Sequence, residues 1–328
     1  DGTPDRSRLG GNATASVSAA VLGAAARSLG IPLYQHIGGV NACILPVPDG
    51  GAFSGSKRYG GGPSGATTGD KPSHEFVCFG FQSFTEASYA AWEVSREFQK
   101  VVGKRFGTGS VVSGYSGIPP GVVSHDRELW AAMAEAIENA GYRNRVGIQI
   151  DIAAGTYYDE KKGKFIGLFS KEEKTRDDLI ELYREMVKSY PFVIFEDPLD
   201  EDDFEGHAIL ARELGIEIVG DDLFTTNPVR LQRGIELGAA NAMLLKVNQV
   251  GTISEAFDAV QLAYRNGYRV MPCMSRGEGE ALADYVVGLG TGHMREGGAG
   301  FLANRLLEIE AELGTAAKFL GKAALKVR

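Results

Sequence analysis

Cysteine is scarce in this chain: Cys43, Cys78 and Cys273 are the only three in 328 residues, and no two form a CxxC pair. That argues against a disulfide scaffold and fits a reduced, cytoplasmic protein. Long apolar runs are also missing. No stretch could span a bilayer and no secretory signal is visible, so no membrane partner is expected. Positive charge is in deficit, with 34 Lys and Arg against 42 Asp and Glu and a net charge of −8. No basic run stands out, which argues against a nucleic-acid partner. The remainder, 44% apolar and 23% charged, is ordinary for a globular protein. This length suits one large α/β domain with an appendage, or two domains, with a sizeable core. The chain opens on Asp1 rather than Met, so an upstream segment is expected.

What is present is a set of β-runs that each end on a chemically useful side chain. They are Val146 to Asp151, Phe192 to Glu196 and Asp197, Ile216 to Asp221 and Asp222, and Ala242 to Lys246. Glu196, Asp221 and Lys246 follow one another at intervals of 25 residues, and Asp151 lies 45 before Glu196. One strand, one loop and one helix occupy about 25 residues in a barrel of eight such units. Strands that all run the same way gather their C-terminal residues at one mouth.

The rest of the chain fits that alternation. An Ala-rich helix is expected over 13–29, with Gly30 as its C-cap and Pro32 just beyond. Gly50 to Ser73 reads as one long Gly/Ser/Thr/Lys loop, either a surface insertion or a lid whose Lys57, Arg58 or Lys71 closes on an anion. A strand follows near His74 to Phe79, and Ser83 to Glu86 has capping-box spacing for a helix reaching about Val102. A loop is expected over 113–121 and a helix over 127–140. Leu179, Leu182, Tyr183, Met186 and Val187 form one apolar helical stripe, capped by Thr175 with Asp178. Further helices are expected near 208–214, from Asn227-Pro228 to Gly238, from Thr252 to about Asn266, from about Glu280, and over 302–314, where a last helix closes the chain. Strands alternating with helices imply a parallel sheet, and this many favour a closed barrel.

Asp151, Glu196 and Asp221 are hard oxygen ligands that suit Mg²⁺ or Mn²⁺. Three close carboxylates would repel one another without a cation. A single strand-end acid more often caps the next helix or pairs with an Arg, but three in series with a lysine form a pattern. Asp197, Asp222 and the run Asp200 to Asp203 read as supporting or solvated residues. Lys246 suits a base, because burial and nearby cations lower an amine's pKa; the plain alternative is a structural ion pair with one of the acids.

From its first residue to about Gly314 the chain resembles enolase, the phosphopyruvate hydratase family. The likeness rests on Asp1-Gly-Thr-Pro4, Gly11-Asn-Ala13, Pro32-Leu-Tyr34, Leu45-Pro-Val-Pro48, Glu196-Asp-Pro198, Gly220-Asp-Asp-Leu223, Thr226-Asn-Pro228 and Leu245-Lys-Val-Asn-Gln249-Val-Gly-Thr252. The resemblance implies a TIM-type (β/α)8 barrel over 44–328, preceded in 1–43 by the remnant of an N-terminal α+β capping domain. It implies Asp151, Glu196 and Asp221 as Mg²⁺ ligands, Lys246 as the α-proton base, Glu75 as an acid near the leaving group, and a homodimer or higher homo-oligomer.

The departures from the family all concern the substrate side. Ser116, within Gly114-Tyr-Ser-Gly117, stands where the family has a Glu that assists loss of hydroxyl. Phe53 and Met274 each replace a family His, Ser275 and Arg276 stand in the segment that grips phosphate and substrate, and Arg295 replaces a Lys that meets the substrate carboxylate. Losing a positioned general acid costs ~10²–10⁴-fold, and Ser116 is no replacement. The expectation is therefore an Mg²⁺-dependent enzyme acting on a small phosphorylated or phosphonate acid with altered leaving-group chemistry, as in carboxyphosphonoenolpyruvate synthase of phosphonate biosynthesis. The alternatives are the phosphopyruvate hydratase of glycolysis and a non-catalytic paralogue with a binding role.

Overall fold

From Asp49 onward, strands and helices alternate around a ring, and the ring's two ends carry different chemistry. The computed structural model describes residues 2–3, 5–55, 59, 71–107, 111–112, 114–274 and 278–327. The ring strands are β1 (Asp49–Ser54), β2 (Ser73–Cys78), β3 (Val146–Asp151), β4 (Phe192–Glu196), β5 (Glu217–Gly220), β6 (Ala242–Leu245) and β7 (Arg269–Pro272), adjacent in that order. An eighth stave, residues 292–295, closes the barrel. The Arg295 N–H donates to the Pro272 carbonyl (3.0 Å), the Val47 N–H to the Gly292 carbonyl (2.8 Å) and the Met294 N–H to the Val47 carbonyl (3.2 Å).

The expected all-parallel sheet is corrected at one place. β2 runs antiparallel to both β1 and β3, while β3 through β7 are mutually parallel. A parallel pair needs a crossover, usually helical, and no helix is described between β1 and β2. The reversal brings the first residues of β2, Ser73 to Glu75, to the end where the other strands deliver their last ones: Ser73 sits opposite Asp151 and Glu75 opposite Gln149.

The expected loop over 50–73 is corrected at both ends, which are strand. Gly50 and Gly51 disguise β1 because glycine is a poor strand former, yet Gly50 has no room for a side chain and Gly51 has little. A Cβ on Gly50 would come within 2.7 Å of the Ala91 carbonyl oxygen, and one on Gly51 within 3.0 Å of that of Gly114. Lys57 and Arg58 lie outside the described residues. Within the expected loop 113–121, Tyr115–Ser116 is a short strand, with Ser116 pairing parallel to Phe53 of β1.

The helices start and stop where their caps dictate. They are α1 (Gly11–Leu29), α2 (Leu33–Gly38), α3 (Phe84–Phe106), α4 (Arg127–Asn139), α5 (Arg176–Ser189), α6 (Phe204–Glu213), α7 (Pro228–Leu237), α8 (Val247–Val250), α9 (Ile253–Arg265), α10 (Ala281–Leu289) and α11 (Gly300–Leu313). Thr175 and Asp178 form a reciprocal capping box on α5, and Asn227, followed by Pro228, caps α7. α6 begins earlier than expected because Asp203 caps it, its carboxylate accepting from the Gly206 N–H at 2.9 Å. No single helix among the described residues is long and apolar enough to cross a membrane.

Alternate residues of the staves point into the ring. Val47, Val77, Val193, Val219, Leu244 and Met271 form an apolar plug, and the other face of each strand packs against the helices. The chain does not close at α11, as expected. Lys318–Phe319 pairs parallel with Ile44–Leu45, and Ala324 and Leu325 then join the inner plug at the end opposite the mouth. Glu217 and His293 meet at that floor.

Candidate active site

Four of the functional side chains, Asp151, Glu196, Asp221 and Lys246, stand where a short, mostly apolar strand ends. Asp151 and Glu196 are the last residues of β3 and β4, and they are register partners. Asp221 and Lys246 follow β5 and β6 directly, and Arg295 ends the closing stave. Glu75 reaches the same mouth from the reversed β2. All six are buried, Glu75 and Glu196 completely.

Arg295 is the hub. Its Nη1 contacts Asp151 Oδ2 and lies 3.4 Å from Glu196 Oε1, while its Nη2 contacts Ser73 Oγ and lies 3.2 Å from Glu75 Oε1. Lys246 Nζ contacts Asp221 Oδ2, and Gln249 Nε2 donates to Asp221 Oδ1 at 2.9 Å. Lys71 Nζ reaches Asp151 Oδ2, the same oxygen that Arg295 uses. Opposite these, the Tyr115 hydroxyl donates to Glu75 Oε1 at 2.7 Å.

The mouth holds buried negative charge that the protein does not fully answer. Glu196 Oε2 and Glu75 Oε2 are buried with no hydrogen-bond partner. Burial pushes the Glu196 carboxyl up to about 8, with Arg295 working against the shift and Asp221 adding to it. For Lys246, burial disfavours the charged amine, but Asp221, Cys273 and Glu196 outweigh it and hold the amine above its ordinary value. For Asp221, burial opposes ionisation, and Lys246 and Gln249 prevail to keep the carboxyl low. Burial and Arg295 lower Lys71.

A divalent cation fits this donor set. One oxygen from each of Glu196, Asp197 and Asp221 lies within 4.8 Å of the other two. The donors are all hard oxygens, which suits Mg²⁺, and the orphaned Glu196 oxygen is what a cation would satisfy. Asp197 plays a supporting part in that group. Its Oδ1 accepts from the N–H groups of Asp221 (3.1 Å) and Leu223 (3.3 Å), and its Oδ2 from that of Asp222 (2.7 Å), which fixes the turn presenting Asp221. Asp151, expected as a third ligand, stands outside the group and is neutralised by Lys71 and Arg295.

The other departures resolve into local contacts. Ser116 is buried with its hydroxyl unpartnered, and Phe53 stacks on His74 with ring centroids 3.8 Å apart. Ser275 and Arg276 lie outside the described residues, and Met274 packs against the core. Three participants carry no motif that marks them in the sequence: Tyr115, Ser73, and Lys71 as a partner of Asp151. Gln249 was legible in principle, since it follows Lys246 by three residues, about one helical turn.

A closed eight-stave barrel with clustered carboxylates and a lysine at its C-terminal mouth defines a metal-assisted acid–base enzyme. The family model for the C-terminal TIM barrel domain of enolase matches residues 61–328. Proteins named enolase are similar over nearly the whole chain. That of Thermococcus gammatolerans is 42% identical over 98% of this chain and 76% of its own length, and that of Pyrococcus furiosus is 40% identical over 100% and 77%. That of Methanopyrus kandleri is 42% identical over 97% and 75%. The chain belongs to the enolase family, a family of metal-dependent lyases.

Proposed function

We propose that the chain abstracts the α-proton of a small phosphorylated three-carbon acid and eliminates water, the phosphopyruvate hydratase reaction, with 2-phosphoglycerate as substrate. The observation that carries this reading is the Lys246–Asp221 contact beside the unpartnered Glu196 oxygen, at the mouth of a barrel whose relatives are named enolase. Lys246 takes the proton once a cation held by Asp221 and Glu196 offsets the acids that otherwise keep its amine charged, and Gln249 positions the Asp221 carboxylate beside that amine. Glu196 and Asp221 would hold Mg²⁺, joined by Asp151 when Lys71 gives up its carboxylate, and the ion when bound would stabilise the negative charge that builds up on the substrate carboxylate. A lysine base beside Mg²⁺ is the general pattern of the enolase superfamily rather than a deduction from this chain. Glu75, with Tyr115 and Arg295 holding its Oε1, keeps its other oxygen free to handle a proton on the leaving-group side. Arg295 meets the substrate carboxylate, and Ser275 and Arg276 its phosphate. The protein acts in the cytoplasm, as its free cysteines allow, and as a homo-oligomer.

A second reading rests on Ser116. A hydroxyl at that position lacks the acidity to help water depart, which favours a carboxyphosphonoenolpyruvate synthase-like reaction. The relatives' shared name weighs toward the hydratase. Following phosphoenolpyruvate formation from 2-phosphoglycerate with Mg²⁺ separates the two. Sustained turnover is the expected result. If none appears while the α-proton still exchanges with solvent, the hydratase reading fails and the second one gains.

A further inference from the structure

Two protein cations share one oxygen of Asp151, and they are not held alike. Arg295 is buried and fixed by Ser73, Glu75, Asp151 and Glu196. Lys71 has a side chain 25% exposed, and among the described residues its ammonium has one ion-pair partner, Asp151. Its backbone is held independently, because the Tyr157 hydroxyl bonds the Lys71 carbonyl oxygen. The side chain can therefore swing away from Asp151 without the strand start moving.

Electrostatics gives a reason for it to do so. Lys71 already sits on Asp151 Oδ2, beside Arg295, so a divalent ion drawn to that carboxylate would meet a second positive charge at a buried site, and repulsion between like charges favours release of the less firmly held cation. We propose that Lys71 is a built-in counter-ion of Asp151 that competes with the divalent cation and leaves the carboxylate when the cation binds. This deepens the metal reading above and rests on it. Once released, the ammonium remains tethered at the rim, where it adds positive charge for an incoming anion.

Titration calorimetry with MgCl₂ on the full chain, with Lys71→Met and Lys71→Arg, tests the exchange without any substrate. Circular dichroism checks that each variant is folded. Lys71→Met should bind Mg²⁺ about 10-fold tighter than the parent, within the usual range of coupling between two sites. Lys71→Arg, which keeps the competing charge, should stay close to the parent. Equal or weaker binding by Lys71→Met, while the parent binds, overturns the exchange and leaves the metal reading standing. Absence of Mg²⁺ binding in parent and variants alike overturns both.

Discussion

At the floor of the barrel, Glu217 is as buried as Glu196 is at the mouth, yet the two acids are treated in opposite ways. Glu217 Oε1 meets His293 Nε2 at 2.6 Å, and its Oε2 accepts from the Lys326 N–H at 2.9 Å, so both oxygens are satisfied and the C-terminal tail is pinned to the barrel. Glu196 shares a distant Arg295 with three other acceptors and keeps one oxygen bare. A buried polar group with all its partners stabilises a fold, whereas an unanswered one costs free energy that a ligand can recover. The floor is built for stability and the mouth for binding, although the same strands supply both.

Substitutions can break that contrast at either end. The largest effect should follow Lys246→Ala. Removing the base should slow solvent deuterium exchange at the substrate α-carbon by ~10³-fold or more, in the range of a lost general base or beyond. Thermal unfolding should show the folded state retained. Next, Glu196→Gln should weaken Mg²⁺ binding by about 100-fold in calorimetry, since even a residue that merely orients a ligand is worth ~10–100-fold. Undiminished affinity would move the cation elsewhere. At the floor, Glu217→Ala should leave Mg²⁺ affinity unchanged and cost about 3 kcal/mol in denaturant unfolding, for two hydrogen bonds lost around a buried acid.

The smallest effect is a pH dependence. In the metal-free protein, burial raises the Glu196 carboxyl to about 8, so the folded state binds a proton that the unfolded chain releases near its ordinary value of 4.5. Folding stability contributed by that proton is present below the unfolded value and is lost as pH rises toward 8. Glu196→Gln should therefore flatten the fall in unfolding midpoint between about pH 5 and 8. A parallel fall in both proteins would assign it to other groups.

The mouth was more legible than the barrel that builds it. Strand-end acids at a repeating interval betray a βα-barrel because each strand is a short apolar run and each acid breaks it. The closing stave carries no such signal: Gly292 to Arg295 is four residues long, mixes Gly, His, Met and Arg, and is defined only by hydrogen bonds to Val47 and Pro272. β1 was hidden for the reason given by its neighbours, since Gly50 and Gly51 exist to admit α3 and the 114–116 segment. The reversal of β2 leaves no mark in the strand's own residues. Tyr115 and Lys71 lay beside the motif positions, and their roles arise from side-chain reach across staves that sequence spacing does not encode.

Solvent deuterium exchange at the α-carbon of 2-phosphoglycerate, with and without Mg²⁺, bears most directly on the mouth as a site of proton abstraction. Exchange should require Mg²⁺, whether or not water is subsequently lost. A saturated Mg²⁺ complex that leaves the α-proton untouched would contradict that role.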